Sequence, residues 1–250
     1  MNLTEALAVN RYEVVSFVGG GGKTTALFRL CAEATERGHS YAACGTTRIN
    51  PPEDTGALVI ADPDEAALLE TLRHTLARGE WRLIVGAGYS EHDRLLPVSY
   101  EVVRMLAGVY DLVAVEADGA RMRPFKAPND NEPPVPPTTT LLVAVVGADV
   151  LGTTLDEEHT HRPERIAALT GAALGDTLTP EIVATVLTHL EGGRKNLPPS
   201  SRFAVVVNKV TPENFEAARQ TGRLLLARGV ERVVLANVRE EQPVVELMRA

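Results

Sequence analysis

Cysteine is scarce in this sequence. Cys31 and Cys44 are the two in 250 residues. Two thiols make no disulfide framework, and their spacing is not that of a zinc ribbon. Aromatic residues make up 4% and the net charge is −8. A nucleic-acid binder needs a basic footprint and often stacking rings, so both values count against that class. No apolar run approaches the roughly 20 residues that cross a bilayer. Met1–Arg11 carries acid and has no apolar run of signal-peptide length. The expectation is a cytoplasmic protein with reduced thiols, with neither nucleic acid nor a membrane as partner.

Apolar residues are plentiful. They make up 44% of the chain, enough for the core of one large domain. Short runs rich in Val and Leu recur at Tyr12–Val18, Leu83–Val85, Leu112–Val115, Leu141–Val146, Phe203–Val207 and Val233–Ala236. Tyr41–Cys44 and Leu58–Ala61 are weaker examples. Most do not alternate with polar residues, which is the pattern of strands buried on both faces of a parallel sheet. Between them lie segments of helical period. Thr24–Arg37 puts Leu27, Leu30, Cys31 and Ala34 on one face, with Gly38 placed to end the helix. Glu65–Ala77 and Pro212–Arg228 have similar stripes. Alternating strands and helices predict an α/β fold of the doubly wound, P-loop NTPase-like kind. Its sheet would be mostly parallel with helices on both faces.

Pro124–Pro137 breaks the rhythm with six prolines, too many for a regular helix or central strand. The expected organisation is one nucleotide-binding domain over 1–250. A proline-rich arm or insert around 120–200 would contribute a second pocket.

The strongest local signal is an apolar strand running into Gly19-Gly20-Gly21-Gly22-Lys23-Thr24-Thr25 and then an amphipathic helix. Glycine N–H groups can turn toward phosphate oxygens, because no side chain blocks the approach. The helix N-terminus adds free donors and a positive dipole end. Lys23 supplies charge for the outer phosphates, and the Thr24 hydroxyl can ligate Mg²⁺. The expected ligand is ATP or GTP with Mg²⁺. The common G-x-x-x-x-G-K-S/T spacing would put glycine at 17, where Phe17 stands. The spacing here resembles the G-x-x-G-K-T-T loop of Mur-type ligases. It also resembles the G-G-x-G-K-T loop of the ParA-like branch, whose extra lysine would fall at Val18.

A phosphate loop needs an acid on a neighbouring strand. Glu116 and Asp118 lie two apart after Leu112–Val115, so both would point the same way on an extended chain. Either could serve the metal, and Gly119 could offer its N–H to a γ-phosphate. Thr46, in Thr46-Thr47-Arg48, is a candidate switch hydroxyl. Asn208 and Lys209 end a strand where GTPases carry N-K-x-D and are candidates to line the base. Thr211 replaces the guanine-reading carboxylate.

These pieces together resemble the YqeC family. The resemblance is carried by the glycine loop, by Glu116–Arg121, by Arg123-Pro124-Phe125-Lys126-Ala127-Pro128 and by Asp156–Glu164. It runs from about Tyr12 to the Asn208-Lys209 strand and beyond. The family's usual threonine run after the second strand appears here as Thr46-Thr47-Arg48. The resemblance implies a P-loop accessory protein that matures the selenium-containing cofactor of molybdenum hydroxylases of the xanthine dehydrogenase type. It implies as partners a hydroxylase or its maturation factors.

Arg121, Arg123, Lys126, His159, His161 and Arg162 form a second cluster. Arginine suits bidentate oxyanion recognition, so the cluster is a candidate second substrate site for a selenium species or a molybdopterin-type anion. His159 and His161 could instead bind a metal. Arg162-Pro163-Glu164 also reads simply as a helix start. Four functional readings stand together: a slow Mg-dependent NTPase or transferase, a non-catalytic nucleotide-switch chaperone, a Mur-like ligase or kinase on a small anion, and an interaction domain with a vestigial loop.

Overall fold

The structure, a computed structural model, describes residues 1–250. The chain begins with a short helix, α1 (Leu3–Leu7), and enters β1 (Glu13–Gly19). Then come α2 (Lys23–Glu36), β2 (Tyr41–Gly45), β3 (Leu58–Ala61), α3 (Glu65–Ala77), β4 (Arg82–Gly86), α4 (Tyr100–Ala107) and β5 (Leu112–Glu116). A two-residue strand, β6 (Phe125–Lys126), precedes β7 (Leu141–Gly147) and its counterpart β8 (Thr160–His161). The rest is α5 (Pro163–Thr170), α6 (Pro180–Thr188), β9 (Arg202–Asn208), α7 (Phe215–Ala227), β10 (Arg232–Ala236) and β11 (Val244–Arg249).

Nine strands form one sheet in the order β11-β10-β9-β7-β1-β5-β2-β4-β3. Every neighbouring pair is parallel except β10 with β11. All seven residues of β7 are buried, which explains its unbroken apolar run. Its side chains part by the two-residue period of a strand. Leu141, Val143 and Val145 pack with α1 and α2, whereas Leu142, Ala144 and Val146 pack with α5, α6 and α7. The far half of that second face is filled by Leu68 and Leu72 of α3 and by Val102, Val103 and Leu106 of α4. The fold is therefore a doubly wound α/β arrangement with helices on both faces.

From β1 the chain moves to the β2 side, and from β7 it moves to the β9 side. The winding reverses between β1 and β7. In such sheets a crevice opens at the carboxyl ends of the strands where the winding reverses. Gly19, Glu116, Gly147 and Asn208 all end strands at that edge.

The proline-rich segment is ordered and largely packed. Its strand β6 pairs in parallel with β8, Phe125 opposite Thr160 and Lys126 opposite His161. Helices α1, α4 and α6 and the strand β11 extend beyond the sequence expectations. Strand β11 is only partly buried, so its sequence, Val244-Val245-Glu246-Leu247-Met248-Arg249, lacks the apolar run of a central strand. Helix α6 carries a Thr179 N-cap followed by Pro180, a start signal that is legible in retrospect.

Candidate functional site

The glycine loop connects β1 to α2 at the reversal point. Gly19, Gly21 and Gly22 have φ of 94°, 74° and 120°, a region that side chains strain to adopt. Space also demands glycine here. A Cβ on Gly19 would collide with the Val145 carbonyl, and one on Gly21 with the Gly147 backbone. A Cβ on Gly20 would sit 2.6 Å from the Arg123 carbonyl oxygen. The loop is clamped between β7 and the segment leading into β6.

That clamp corrects one expectation. Gly19–Gly22 do not offer four free N–H groups. Gly19 donates to Asp118 Oδ2 at 3.0 Å. Gly20 donates to the Val145 carbonyl at 2.9 Å and Gly21 to the Arg123 carbonyl at 3.1 Å. The open donors begin one step later. The N–H groups of Gly22, Lys23, Thr24 and Thr25 donate to no protein atom, and no side chain caps the helix. They are the first-turn donors every helix leaves over, aimed here into the crevice.

Four side chains converge beside these donors. Lys23 is buried, and its Nζ donates to the Gly19 carbonyl at 2.7 Å. The same Nζ lies 3.1 Å from Asp118 Oδ1. The Thr24 hydroxyl donates to Glu116 Oε2 at 2.5 Å. Glu116 and Asp118 thus face the loop together, as their spacing on an extended chain requires. Asp118 Oδ1 is buried and has no aligned hydrogen-bond donor, although Lys23 Nζ is near enough for an ion pair. Burial pushes the Glu116 carboxyl above its ordinary value, opposed by the charge of Lys23 and the bond from Thr24.

Two residues assigned to the nucleotide by sequence have other duties. Asn208 is buried. Its Nδ2 donates to the Gly21 carbonyl at 2.8 Å and its Oδ1 accepts from Val238 N at 3.0 Å. It braces the glycine loop and is buried there. The Thr46 hydroxyl donates to the Pro134 carbonyl at 2.7 Å and so holds the proline-rich arm. Lys209 is half-exposed and pairs with Asp149 at 2.7 Å. Thr211, in the place of a guanine-reading carboxylate, donates its backbone N–H to Asn214 Oδ1 at 2.9 Å.

A cavity of about 570 Å³ adjoins the open donors, lined by Thr24, Thr25, Phe28, Pro51, Pro52, Val238 and Arg239 among others. Sequence reasoning missed this wall. Its members come from the loop after β2 and the turn after β10, which only the folded sheet brings to one edge. Arg29 fixes that turn by donating to the carbonyls of Glu240 and Glu241 at 2.9 and 2.6 Å.

The second cluster only partly assembles. A separate cavity of about 320 Å³ is lined by Arg121, Arg123, Glu157, Thr160, His161, Arg162 and Glu164. Lys126 and His159 do not line it. Lys126 turns inward to the Gly119 carbonyl (2.7 Å), to Glu132 (2.7 Å) and to Asp118 (3.1 Å). His159 closes a local turn on Asp156 at 2.8 Å. The two histidines therefore part, and no group of three or more His, Cys, Asp or Glu is placed to hold a metal ion.

Sheet order, clamped glycine loop and the Lys23–Thr24–Glu116–Asp118 group define a P-loop NTPase-like α/β protein. Residues 15–164 match the family model described as YqeC protein, and the chain belongs to that family. It is 27% identical over 237 residues to a protein of Escherichia coli (strain K12) described as uncharacterized protein YqeC. That match covers 93% of this chain and 90% of the relative. Among solved structures it resembles chloroplast FtsY from Physcomitrella patens, with a TM-score of 0.46 and 14% identity over 92% of this chain. It also resembles a DUF1611 family protein from Anabaena variabilis, with a TM-score of 0.39 and 15% identity over 91%. The chain spans 61% and 54% of those two chains.

Proposed function

We propose that the protein binds and slowly hydrolyses a purine nucleoside triphosphate with Mg²⁺, as an accessory factor in maturing the selenium-containing cofactor of a molybdenum hydroxylase. The observation that carries the nucleotide reading is the row of open N–H donors from Gly22 to Thr25, with Lys23 beside it. These donors and the helix dipole favour the phosphate chain. Lys23 would exchange the Gly19 carbonyl for a phosphate oxygen and offset charge that develops in transfer. The nucleoside would lie in the cavity beside Thr24 and Thr25, its base toward Pro51, Pro52 and Val238.

The residues present fit Mg²⁺. A hard cation takes oxygen ligands. The Thr24 hydroxyl and Glu116 supply them, with Asp118 Oδ1, which faces Lys23 Nζ at 3.1 Å, as a further oxygen. Bound there, the ion would draw charge from the phosphate oxygens. The role in hydroxylase maturation is what the resemblance to the family implies, and the cytoplasmic reading rests on two sparse, free and buried thiols, Cys31 and Cys44.

A thermal-shift titration with Mg-ATP and Mg-GTP, on wild type and Lys23→Ala, tests the nucleotide reading. Ligand at 100 times its Kd stabilises by about 2.7 kcal/mol. That is a rise of roughly 5–10 °C for a chain of this size. The rise should vanish in Lys23→Ala. No rise with either nucleotide in a folded sample overturns the reading.

A further inference from the structure

The smaller cavity has an unusual wall. It contains no apolar side chain, whereas small-molecule sites are mostly apolar. Three of its seven lining residues are arginines. Arg162 is committed: it forks onto Glu132 at 2.8 and 2.9 Å. Arg121 and Arg123 have no ion-pair partner. Glu157 and Glu164 complete the rim.

The backbone here is held against its preference. Arg121, Met122 and Arg162 have φ of 47°, 66° and 66°, in the left-handed region that costs a side-chain-bearing residue about 1–3 kcal/mol. Such strain gathers where a structure must present particular groups. Arg121 and Met122 form the centre of a tight turn closed by Arg123 N on the Ala120 carbonyl at 2.9 Å. Burial, with Arg162, Lys126 and Arg121, pushes the His161 imidazole down to about 4.

A chain of alternating charges leads from this pocket to the glycine loop. Arg162 pairs with Glu132 at 2.8 Å, Glu132 with Lys126 at 2.7 Å, Lys126 with Asp118 at 3.1 Å, and Asp118 with Lys23 at 3.1 Å. The inner members Lys23, Asp118 and Lys126 are buried, where charge interactions are screened least.

We propose that this pocket binds a small oxyanion of the phosphate class, and that its occupancy weakens nucleotide binding through the chain Arg162–Glu132–Lys126–Asp118–Lys23. The proposal rests on the nucleotide reading above. Free guanidiniums in a wholly polar cavity suit tetrahedral oxyanions, which they hold by forked hydrogen bonds. The sign of the coupling follows from the alternation. An anion draws Arg162 from Glu132. Glu132 then leans on Lys126, Lys126 loosens from Asp118, and Asp118 tightens on Lys23. Lys23 becomes less available to a phosphate chain. By linkage, nucleotide weakens the anion by the same factor.

The test measures the Kd of Mg-nucleotide at rising inorganic phosphate, on wild type, Arg123→Ala and Glu132→Gln. Each variant is first checked for a cooperative melt. Coupling raises Kd to a plateau several-fold above its starting value, because the second site saturates. Competition at the glycine loop raises Kd in proportion to phosphate without limit. The proposal expects a plateau in wild type, no plateau in Arg123→Ala, and none in Glu132→Gln. A proportional rise that persists unchanged in Arg123→Ala overturns it, as does no rise at all. A plateau that survives in Glu132→Gln overturns the charge chain as its route. Calorimetric titration with phosphate alone, wild type against Arg123→Ala, reads the pocket directly. If no nucleotide binds, the nucleotide reading and the coupling fall together. Equal phosphate binding in wild type and Arg123→Ala removes the pocket instead.

Discussion

Lys126 Nζ lies 3.1 Å from Asp118 Oδ2, and both side chains are almost wholly buried. Asp118 is also the residue that receives Gly19 N–H and approaches Lys23. One carboxylate thus ties the glycine loop, its lysine and the proline-rich segment together. Lys126→Met would leave Asp118 short of a cation and Glu132 with Arg162 alone. Breaking a buried pair from one side costs about 3–5 kcal/mol. Thermal denaturation should place Lys126→Met at least 6 °C below wild type, at about 2–4 °C per kcal/mol. A melt within 2 °C of wild type would show that the pair contributes little.

The clamp on the loop can be separated from ordinary glycine strain. Gly21→Ala meets both a positive φ and the Gly147 backbone. Gly38→Ala has a φ of 68° with open space around it. The second change should cost about 1 kcal/mol for conformation alone. The first adds an overpacking cost of about 1–3 kcal/mol. Urea unfolding of the two variants gives the difference. Equal costs would mean that the loop yields to a methyl group and is not clamped.

Acid should undo the outer end of the charge chain. Glu132 is held down to about 2 against burial, by bonds from Arg162 and Lys126 and by their charges. A lowered carboxyl contributes stability above its ordinary value near 4.5 and loses it as pH falls toward 2. Glu132→Gln should therefore be less stable than wild type at pH 7, with the gap closing between about pH 4.5 and 2. A gap independent of pH would put the effect of Glu132 in shape and not in charge.

His161 reports the anion. Its ordinary value of 6.5 is lowered to about 4 by burial and by Arg162, Lys126 and Arg121, while Glu132 pulls the other way and Glu157 and Glu164 share the pocket. Sulfate keeps its charge through this range and makes a clean probe. Bound sulfate should raise the His161 value, so binding takes up a proton and tightens as pH falls from about 6.5 toward 4. Proton NMR of the imidazole, with Arg123→Ala as control, reads both effects. An unmoved His161 at saturating sulfate would place the anion elsewhere.

Much of this was visible in the sequence. Unbroken Val and Leu runs such as Leu141–Val146 mark strands covered on both faces, and burial of all of β7 shows why alternation is missing. The group Lys23, Thr24, Glu116 and Asp118 was legible because it depends on local order: a loop, a helix start and two acids one pleat apart. The bracing contacts of Asn208 and Thr46 were not legible, for the opposite reason. Their partners, Gly21, Val238 and Pro134, are far away in sequence, and an amide or hydroxyl at a strand end looks the same whether it faces ligand or backbone. The same holds for Lys126, whose inward turn depends on the β6–β8 pairing.

That pairing bears on how the molecule can be taken apart. Gly21 N and Gly147 N spend their hydrogen bonds on the carbonyls of Arg123 and Pro124. The proline-rich segment therefore accepts hydrogen bonds from both the glycine loop and the end of β7 and is no removable ornament. A trimmed version joining β5 to β7 by a short turn would leave the Gly21 amide of the loop and the Gly147 amide at the end of β7 without acceptors. Transplants of the glycine loop into other scaffolds would have to carry the stretch from Asp118 to Lys126 with them.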